Sequence, residues 1–199
     1  MNQNKVNHKI PFEIFNKWLE EAINNPKIIE PTAMCLATSD IDNKPSARMV
    51  LLKKFDERGF CFFTNLTSRK GREINQNPHV ALCFYWGAIG RQVRIEGDVE
   101  PVSSLEADEY FASRRRESRI GAWASKQSQT MENRQEFENR IDEITKQFEN
   151  QEVTRPIFWS GFRVKPSSIE FWQEGEYRIH HRHLYEKSSD CWIVNEIYP

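Results

Sequence analysis

The amino-acid sequence predicts a mainly β fold, an antiparallel β-barrel with peripheral helices (α+β), in a single domain over residues 1–199. Three observations support this prediction. About eight short segments are rich in β-branched, aromatic and aliphatic residues and are bounded by turn residues, as strands are. Most of these segments follow one another without the helical crossovers that parallel strands need. The length is sufficient for one hydrophobic core.

The charge balance and the cysteines exclude several classes of protein. The formal net charge is -1, which gives no support for nucleic acid as a bulk partner. The first residues are polar and no long apolar segment follows them, so we expect no signal peptide and no membrane partner. Cys35, Cys61, Cys83 and Cys191 lack metal-ligand or redox spacing. The sequence is typical of a reduced, cytoplasmic protein, and we expect residues 1–10 to form a mobile N-terminal tail.

In the first half of the chain each predicted element has a local signal. A helix over 11–25 carries Phe12, Phe15, Leu19 and Ile23 at helical spacing. A short helix over 68–75 ends before Pro78. The predicted strands of this half are 33–38, 46–54, 59–65, 79–86 and 91–100.

In the second half, Ser103 and Glu106 have the spacing of a capping box at the start of a helix. A further helix over 132–150 has one apolar stripe. That stripe consists of Phe137, Ile141, Ile144 and Phe148. The last predicted strands are 158–164, 168–172, 177–185 and 191–194.

The strands over 46–54 and 59–65, joined by a predicted hairpin turn, carry candidate anion ligands. Arg48 and Lys53 interrupt an otherwise apolar strand, and buried strands rarely carry cations without an anionic partner. The second strand leads through hydroxyl and amide residues into a helix with Arg69 and Lys70. Hydroxyls, free N–H groups at a helix start and paired cations are what a phosphate needs. The alternative, that the strand cations simply mark strand ends and face water, stays open on this stretch alone.

A second basic cluster follows the predicted helix that contains Tyr110. The segment 110–119 offers a phenol, several guanidinium groups and the hydroxyl of Ser118. These groups suit a second phosphate. A solvated basic turn is the simpler alternative, and a nucleic-acid patch is disfavoured by the charge balance and the lack of aromatic platforms. The polar loop 125–129 and Gln92 are uninformative by themselves.

The predicted strand 177–185 places Arg178, His180 and Arg182 on one face, because side chains alternate along a strand. His181 would point to the opposite face from His180. No carboxylate or cysteine completes a ligand set, and the arginines would repel a cation, so we predict no metal site. Three cationic or ionisable groups on one face favour an anionic or electron-rich ligand.

Taken together, these segments resemble the pyridoxine/pyridoxamine 5'-phosphate oxidase family. The matching stretches are 30–34, 48–53, 64–70, 91–93, 120–128 and 169–182, and the resemblance extends from about Phe12 to Pro199. It implies an FMN-binding split β-barrel that works as a homodimer with FMN at the interface. The sequence departs from the family's usual residues at Phe63, His181 and Glu196.

The resemblance also implies roles for individual residues. FMN would be bound by Arg48, Met49, Val50, Leu51, Leu52, Lys53, Phe63, Thr64, Arg69, Lys70 and Gln92, and by Gln127, Ser128, Trp172 and Arg182 of the partner subunit. The phosphate ester of the substrate would be held by Lys53, Tyr110, Arg114 and Ser118. Arg178 and His180 would bind the substrate ring and act as the catalytic residues.

The implied reaction is the oxidation of pyridoxamine 5'-phosphate or pyridoxine 5'-phosphate to pyridoxal 5'-phosphate. A hydride passes to the FMN, O2 is the electron acceptor, and H2O2 is released, together with ammonia from the amine. One alternative is a related split-barrel flavin oxidase with another substrate, of the phenazine type. Another is a non-catalytic protein that binds FMN or a vitamin B6 phosphate, and peroxide production distinguishes it from an enzyme.

Overall fold

A computed structural model describes residues 4–199 and confirms the mainly β fold with peripheral helices. Within this range the strands are β1 (Lys5–Asn7), β2 (Ala33–Ser39), β3 (Pro45–Leu51), β4 (Lys54–Asp56), β5 (Gly59–Asn65), β6 (His79–Trp86), β7 (Arg91–Pro101), β8 (Trp159–Gln173), β9 (His181–Ser188) and β10 (Cys191–Glu196). The helices are α1 (Ile10–Ile23), α2 (Arg69–Gln76), α3 (Ser104–Ser113), α4 (Arg116–Ala124) and α5 (Arg134–Gln147). Among residues 4–199, no helix is both long and apolar enough to cross a membrane.

The strands form one antiparallel sheet that branches at β8. The order is β1-β10-β9-β8-β7-β6-β2-β3, and the β4–β5 hairpin joins β8 as a branch. The first part of β8 pairs with β5 and its last part pairs with β9, while β7 pairs along both parts. The prediction of two separate strands, 158–164 and 168–172, is wrong. β8 is continuous because Pro166 is accommodated at a bulge opposite Gly97. A Cβ at Gly97 would lie 2.0 Å from the carbonyl oxygen of Lys165, so the close approach requires glycine there.

The main core lies between α1 and the inner face of the sheet. Phe15 is fully buried and makes edge contacts with Phe60 and Phe84 at centroid distances of 4.9 and 5.1 Å. Phe12 and Leu19 of the predicted apolar stripe are also buried, whereas Ile23 is 54% exposed at the end of the helix. Each buried aromatic side chain contributes about 1.5–3 kcal/mol by leaving water, so the packing of α1 on the sheet contributes substantially to the stability of the fold.

A smaller core joins the helices to β8. It contains Phe111 of α3, Ile120 of α4 and Trp159 of β8, together with Phe148 just after α5. The predicted capping box of Ser103 and Glu106 is present at the start of α3. The sequence did not predict α4, because its first turns are polar and show no helical apolar spacing. This helical layer covers the side of the barrel where β3 and β5 end.

The N-terminal segment differs from the predicted mobile tail over residues 1–10. Lys5–Asn7 adds an edge strand to β10, with Val6 opposite Trp192. The indole Nε1 of Trp192 also donates a hydrogen bond to the carbonyl of His8 at 3.1 Å. Residues 1–3 lie outside the part of the chain that the structure describes.

The predicted strand 46–54 is divided at Leu52 and Lys53. β3 pairs with β2, whereas β4 forms the predicted hairpin with β5. Between them, the backbone N–H of Leu52 donates to Thr32 and that of Lys53 donates to Cys61. The chain thus passes from one neighbour to another at Lys53, which places this residue at the junction of the two strand pairs.

Candidate active site

A cavity of about 770 Å³ opens between the ends of β3 and β5 and the helices α3 and α4. Its volume lies in the range of roughly 300–1,000 Å³ that is common for small-molecule sites. The lining residues are Arg48, Met49, Val50, Leu51, Lys53, Phe63, Thr64, Asn65, Lys70, Tyr110, Arg114, Arg115, Ser118, Gly121, Ala122, Ser125, Gln127, Phe137 and Trp159. Two segments predicted to bind phosphate, one on β3 to α2 and one after Tyr110, therefore meet in one cavity.

The charge of this lining is of one sign. Its cationic side chains are Arg48, Lys53, Lys70, Arg114 and Arg115, and no aspartate or glutamate of residues 4–199 lines it. Low-dielectric walls around charges of one sign raise the local concentration of ligands of the opposite sign. The cavity is therefore suited to an anionic ligand.

Lys70 forms one end of the cavity, at the first turn of α2. Its Nζ donates to the hydroxyl of Thr64 at 3.0 Å and to the Oε1 of Gln127 at 2.9 Å. The described residues provide it with no carboxylate within ion-pair distance. Burial, with a smaller contribution from the charge of Arg48, lowers the pKa of Lys70 to about 8. A buried ammonium group without a counter-ion is a strong sign of an anionic ligand.

Gln127 reaches this end of the cavity from the same chain, which differs from the expectation that the partner subunit supplies it. Its Oε1 also accepts a hydrogen bond from Thr64 at 3.1 Å. The adjacent Ser128 has a left-handed backbone, with φ of 70°, and lines a neighbouring cavity of about 250 Å³ rather than the main one. The loop after α4 is therefore folded back onto α2 within one protomer.

The guanidinium of Arg114 provides a second set of hydrogen-bond donors in the cavity. Its guanidinium carbon lies 4.9 Å from the ring centroid of Trp159 and 5.5 Å from that of Phe111. Its Nη1 is buried and has no hydrogen-bond partner among residues 4–199. Burial lowers the pKa of Arg114, opposed by the nearby Tyr110. An unsatisfied buried N–H costs about 1–3 kcal/mol, which an incoming anion would offset.

Aromatic rings form the wall beside Arg114. The Phe63 ring stacks on Tyr110 at 4.1 Å and on Trp159 at 5.5 Å between centroids. Burial raises the pKa of the Tyr110 phenol, so at neutral pH this group is a hydrogen-bond donor. Trp159 was not predicted as a site residue, because only the fold shows that the start of β8 faces the cavity.

The remaining predicted cofactor residues gather elsewhere, on the outer face of the sheet. Here the outer face means the side chains that alternate with the buried core positions along the strands. Three adjacent strands bring three of them side by side: Gln92 of β7 lies opposite Trp172 of β8, which lies opposite Arg182 of β9. The ring of His180 lies 4.6 Å from that of Trp172, and Arg182 donates to the buried Glu170 at 2.8 Å. None of these side chains lines the main cavity.

The predicted strand 177–185 is wrong in its first part. Glu176–Arg178 is a 3-10 turn and β9 begins only at His181, so strand alternation does not place Arg178 and Arg182 on one face. Tyr177 and Arg178 have φ values of 54° and 66°, a left-handed conformation that non-glycine residues rarely adopt. The backbone N–H of Gly175 donates to Nδ1 of His180 at 3.2 Å and closes the turn. Strain of this kind concentrates at functional sites.

Two further predicted FMN residues also lie outside the cavity. Leu52 is buried in the main core, so only its backbone can approach a ligand. Arg69 is exposed beside Lys70 and forms an ion pair with Glu73 at 2.8 Å. The structure thus brings together most of the predicted site of one subunit and separates it from the outer-face residues.

Known proteins match most of the length of this chain. Residues 19–148 match the family described as pyridoxamine 5'-phosphate oxidase, and residues 159–199 match the pyridoxine 5'-phosphate oxidase C-terminal dimerisation region. A pyridoxine/pyridoxamine 5'-phosphate oxidase of Rubrobacter xylanophilus is 53% identical, covering 95% of this chain and 87% of the relative. One of Gluconobacter oxydans is 50% identical, covering 95% and 94%.

Solved structures show the same fold. PhzG from Burkholderia lata, in complex with tetrahydrophenazine-1-carboxylic acid, superposes with a TM-score of 0.89 at 30% identity, over 95% of this chain and 92% of that chain. A pyridoxamine 5'-phosphate oxidase-related, FMN-binding protein from Nostoc punctiforme has a TM-score of 0.74 at 19% identity, over 93% and 97%. The predicted split β-barrel is therefore confirmed. On the family matches and the close relatives, the chain belongs to the pyridoxine/pyridoxamine 5'-phosphate oxidase family.

Proposed function

We propose that this protein oxidises pyridoxamine 5'-phosphate and pyridoxine 5'-phosphate to pyridoxal 5'-phosphate, with FMN as cofactor and O2 as electron acceptor. One observation carries the proposal: a single cavity contains two cationic groups without a carboxylate partner, at Lys70 and at Arg114, and no described acidic residue lines it. The substrate and the cofactor of this reaction each carry one phosphate. The names of relatives at 53% and 50% identity support the assignment.

The Lys70 end fits the phosphate of FMN. The ammonium of Lys70, the hydroxyl of Thr64 and the amide of Gln127 already contact one another there. The start of α2, capped by Ser68, adds the positive end of a helix. When bound, FMN would supply the two-electron acceptor for the substrate and return those electrons to O2. The protein's task is to hold and orient both molecules.

The Arg114 group fits the phosphate ester of the substrate. Its guanidinium, the phenol of Tyr110 and the hydroxyl of Ser118 all line the cavity, and Lys53 lies on the β3 side. Charge-assisted hydrogen bonds from a planar guanidinium suit phosphate oxygens. Fixing the phosphate in this way would hold the pyridine ring in one orientation toward the cofactor, which lowers the entropic part of the barrier.

The outer-face residues would complete the site from a second copy of the chain. Trp159 lines the cavity, and Trp172 lies 13 positions further along the same strand, a path of about 40 Å along the chain at the usual rise per residue. A ligand held at Trp159 therefore cannot also contact Trp172 of the same chain. A homodimer in which the partner's Trp172, Arg182, Arg178 and His180 approach this cavity removes the conflict. Gln92, which the resemblance placed with the first subunit's residues, would come with them because it lies opposite Trp172. The match of residues 159–199 to a dimerisation region supports it.

The reaction has a direct test. Purified protein incubated with pyridoxamine 5'-phosphate in air should form pyridoxal 5'-phosphate, H2O2 and ammonia in equal amounts, and the pyridoxine ester should give the first two products. Binding of both phosphates without any peroxide would show a non-catalytic binding protein and contradict the proposal.

A second candidate substrate class follows from the likeness to PhzG, whose solved complex contains a tetrahydrophenazine carboxylic acid. Such a ligand would offer one carboxylate, in place of the substrate phosphate, to the Arg114 group, while the phosphate of FMN would still occupy the Lys70 end. A parallel assay with a reduced phenazine carboxylic acid distinguishes the two classes. Faster oxidation of the phenazine than of pyridoxamine 5'-phosphate would favour the second candidate.

We also propose that the protein works in the cytoplasm. Cys35, Cys61, Cys83 and Cys191 are all free thiols in the described part of the chain. Free thiols without disulfides are typical of a reducing compartment. Fractionation of the cells that make the protein, with flavin-dependent oxidase activity as the readout, tests this assignment.

A further inference from the structure

Glu73 lies on α2 behind the Lys70 end of the cavity and holds two arginines at once. Its Oε1 accepts a hydrogen bond from the Nε of Arg69 at 2.8 Å. Its Oε2 accepts from Nη2 of Arg48 at 3.0 Å. Glu73 was not predicted as a site residue, because a glutamate in a polar helix shows no local pattern that indicates a function.

Two hydroxyl groups close the network around this carboxylate. Thr38 and Ser46 each donate to Oε2 of Glu73 and each accept from the guanidinium of Arg48. The Glu73 side chain is only 6% exposed. Burial by itself raises its pKa, but these hydrogen bonds and those from the arginines lower it to about 2. Glu73 is therefore a permanent anion that fixes the neighbouring cations.

We propose that Glu73 is a positioning residue that makes the site selective for a flavin carrying a phosphate. It fixes Arg48, which lines the cavity, and it takes only the Nε of Arg69, the residue before Lys70, so that both Nη groups of Arg69 stay without a partner among residues 4–199. Arg69 is otherwise 59% exposed, and a long exposed side chain must lose rotamer freedom to bind a ligand. Glu73 removes this freedom before the ligand arrives.

The charge of Glu73 alone would have the opposite effect. If Glu73 acted on the phosphate only through its charge, Glu73→Gln would strengthen the binding of FMN, because a carboxylate near an anion site repels a phosphate. Removing a positioning residue should weaken the binding, although the site becomes more positive. The direction of the change in affinity therefore distinguishes the two roles. The inference rests on the proposed function, because it takes the anion at Lys70 to be the phosphate of FMN.

The test compares FMN with riboflavin, which has the same ring system and no phosphate. Full-length protein freed of flavin is titrated with each, and quenching of flavin fluorescence gives the affinity. We expect Glu73→Gln to lose at least about tenfold in affinity for FMN, equivalent to about 1.4 kcal/mol, with riboflavin affinity unchanged. The matched control is Glu138→Gln, because Glu138 also accepts from an arginine Nε four residues away, on α5, and should leave both affinities unchanged.

Each other outcome has a defined meaning. Unchanged or tighter FMN binding by Glu73→Gln overturns the inference. If the original protein binds FMN no better than riboflavin, the proposed function fails instead. If Glu73→Gln does not fold, Ser46→Ala replaces it, since Ser46 links Glu73 to Arg48 and its loss changes no charge. We then expect a selective loss of FMN affinity of about threefold or more, and no loss overturns the inference.

Discussion

The substitution Arg114→Met separates the stability of the protein from its affinity for the substrate. Methionine keeps much of the apolar stem that packs on Trp159 and Phe111, and removes the charge. The lost cation–π contacts with these two rings cost about 0.5–2 kcal/mol. The substitution also removes a buried Nη1 without a partner among residues 4–199, which relieves a cost of about 1–3 kcal/mol. We therefore expect the ligand-free protein to be as stable as the original or slightly more stable.

The affinity for the substrate should change in the other direction. A charge-assisted hydrogen bond to a ligand contributes about 1.5–3 kcal/mol, so the Kd for pyridoxine 5'-phosphate should rise about ten- to a hundredfold. The flavin content should not change, because the FMN phosphate is assigned to Lys70 and its neighbours. Calorimetric titration of protein whose flavin has first been reduced, in the absence of O2, measures this affinity without turnover, and thermal unfolding measures the stability.

The matched control is Arg134→Met. Arg134 also lies over an aromatic ring, that of Phe137 at 5.4 Å, but it is exposed and is paired with Glu138. Its replacement should leave the substrate affinity unchanged. The assignment of Arg114 is refuted if Arg114→Met binds the substrate normally, or if it is purified without flavin.

Three further predictions concern the cofactor, the chemistry and the fold. The affinity of the flavin-free protein for FMN should fall as the pH rises above about 8, because Lys70 then loses its proton. Fluorescence titration measures this affinity, and the variant Lys70→Met should bind FMN weakly at every pH, without this dependence. Arg178→Met should stay folded and yellow, but anaerobic stopped-flow should show flavin reduction at least about tenfold slower, equivalent to roughly 1.4 kcal/mol of activation free energy. A normal rate would leave this turn a structural role only. Gly97→Ala should destabilise the protein by about 1–3 kcal/mol in denaturant titrations because of its contact with Lys165, whereas Gly121→Ala, with open space around it, should not destabilise it.

Local sequence patterns predicted the parts of the fold and site that depend on local chemistry. The apolar spacing of Phe12, Phe15 and Leu19 predicted the core face of α1, and the capping box predicted the start of α3. Arg48 and Lys53 were notable as cations in an apolar strand, and both line the cavity. These signals are visible because each depends on neighbouring residues in the chain.

The features that the sequence did not reveal depend on distant contacts. β8 is one strand because its bulge at Pro166 fits against Gly97, some seventy positions earlier. Glu73 becomes a central residue only when β2, β3 and α2 meet around it. The turn at Arg178 has a left-handed backbone that no residue type there favours, so alternation suggested a strand.

The most direct test of the central claim is a single anaerobic turnover. Purified yellow protein is mixed with pyridoxamine 5'-phosphate in the absence of O2, and the visible absorbance of the flavin is recorded. The proposed function predicts that the flavin band is bleached, with one pyridoxal 5'-phosphate formed per flavin, and that admitting O2 restores the colour and releases H2O2. If the protein binds the substrate but its flavin remains oxidised, the proposed function is contradicted.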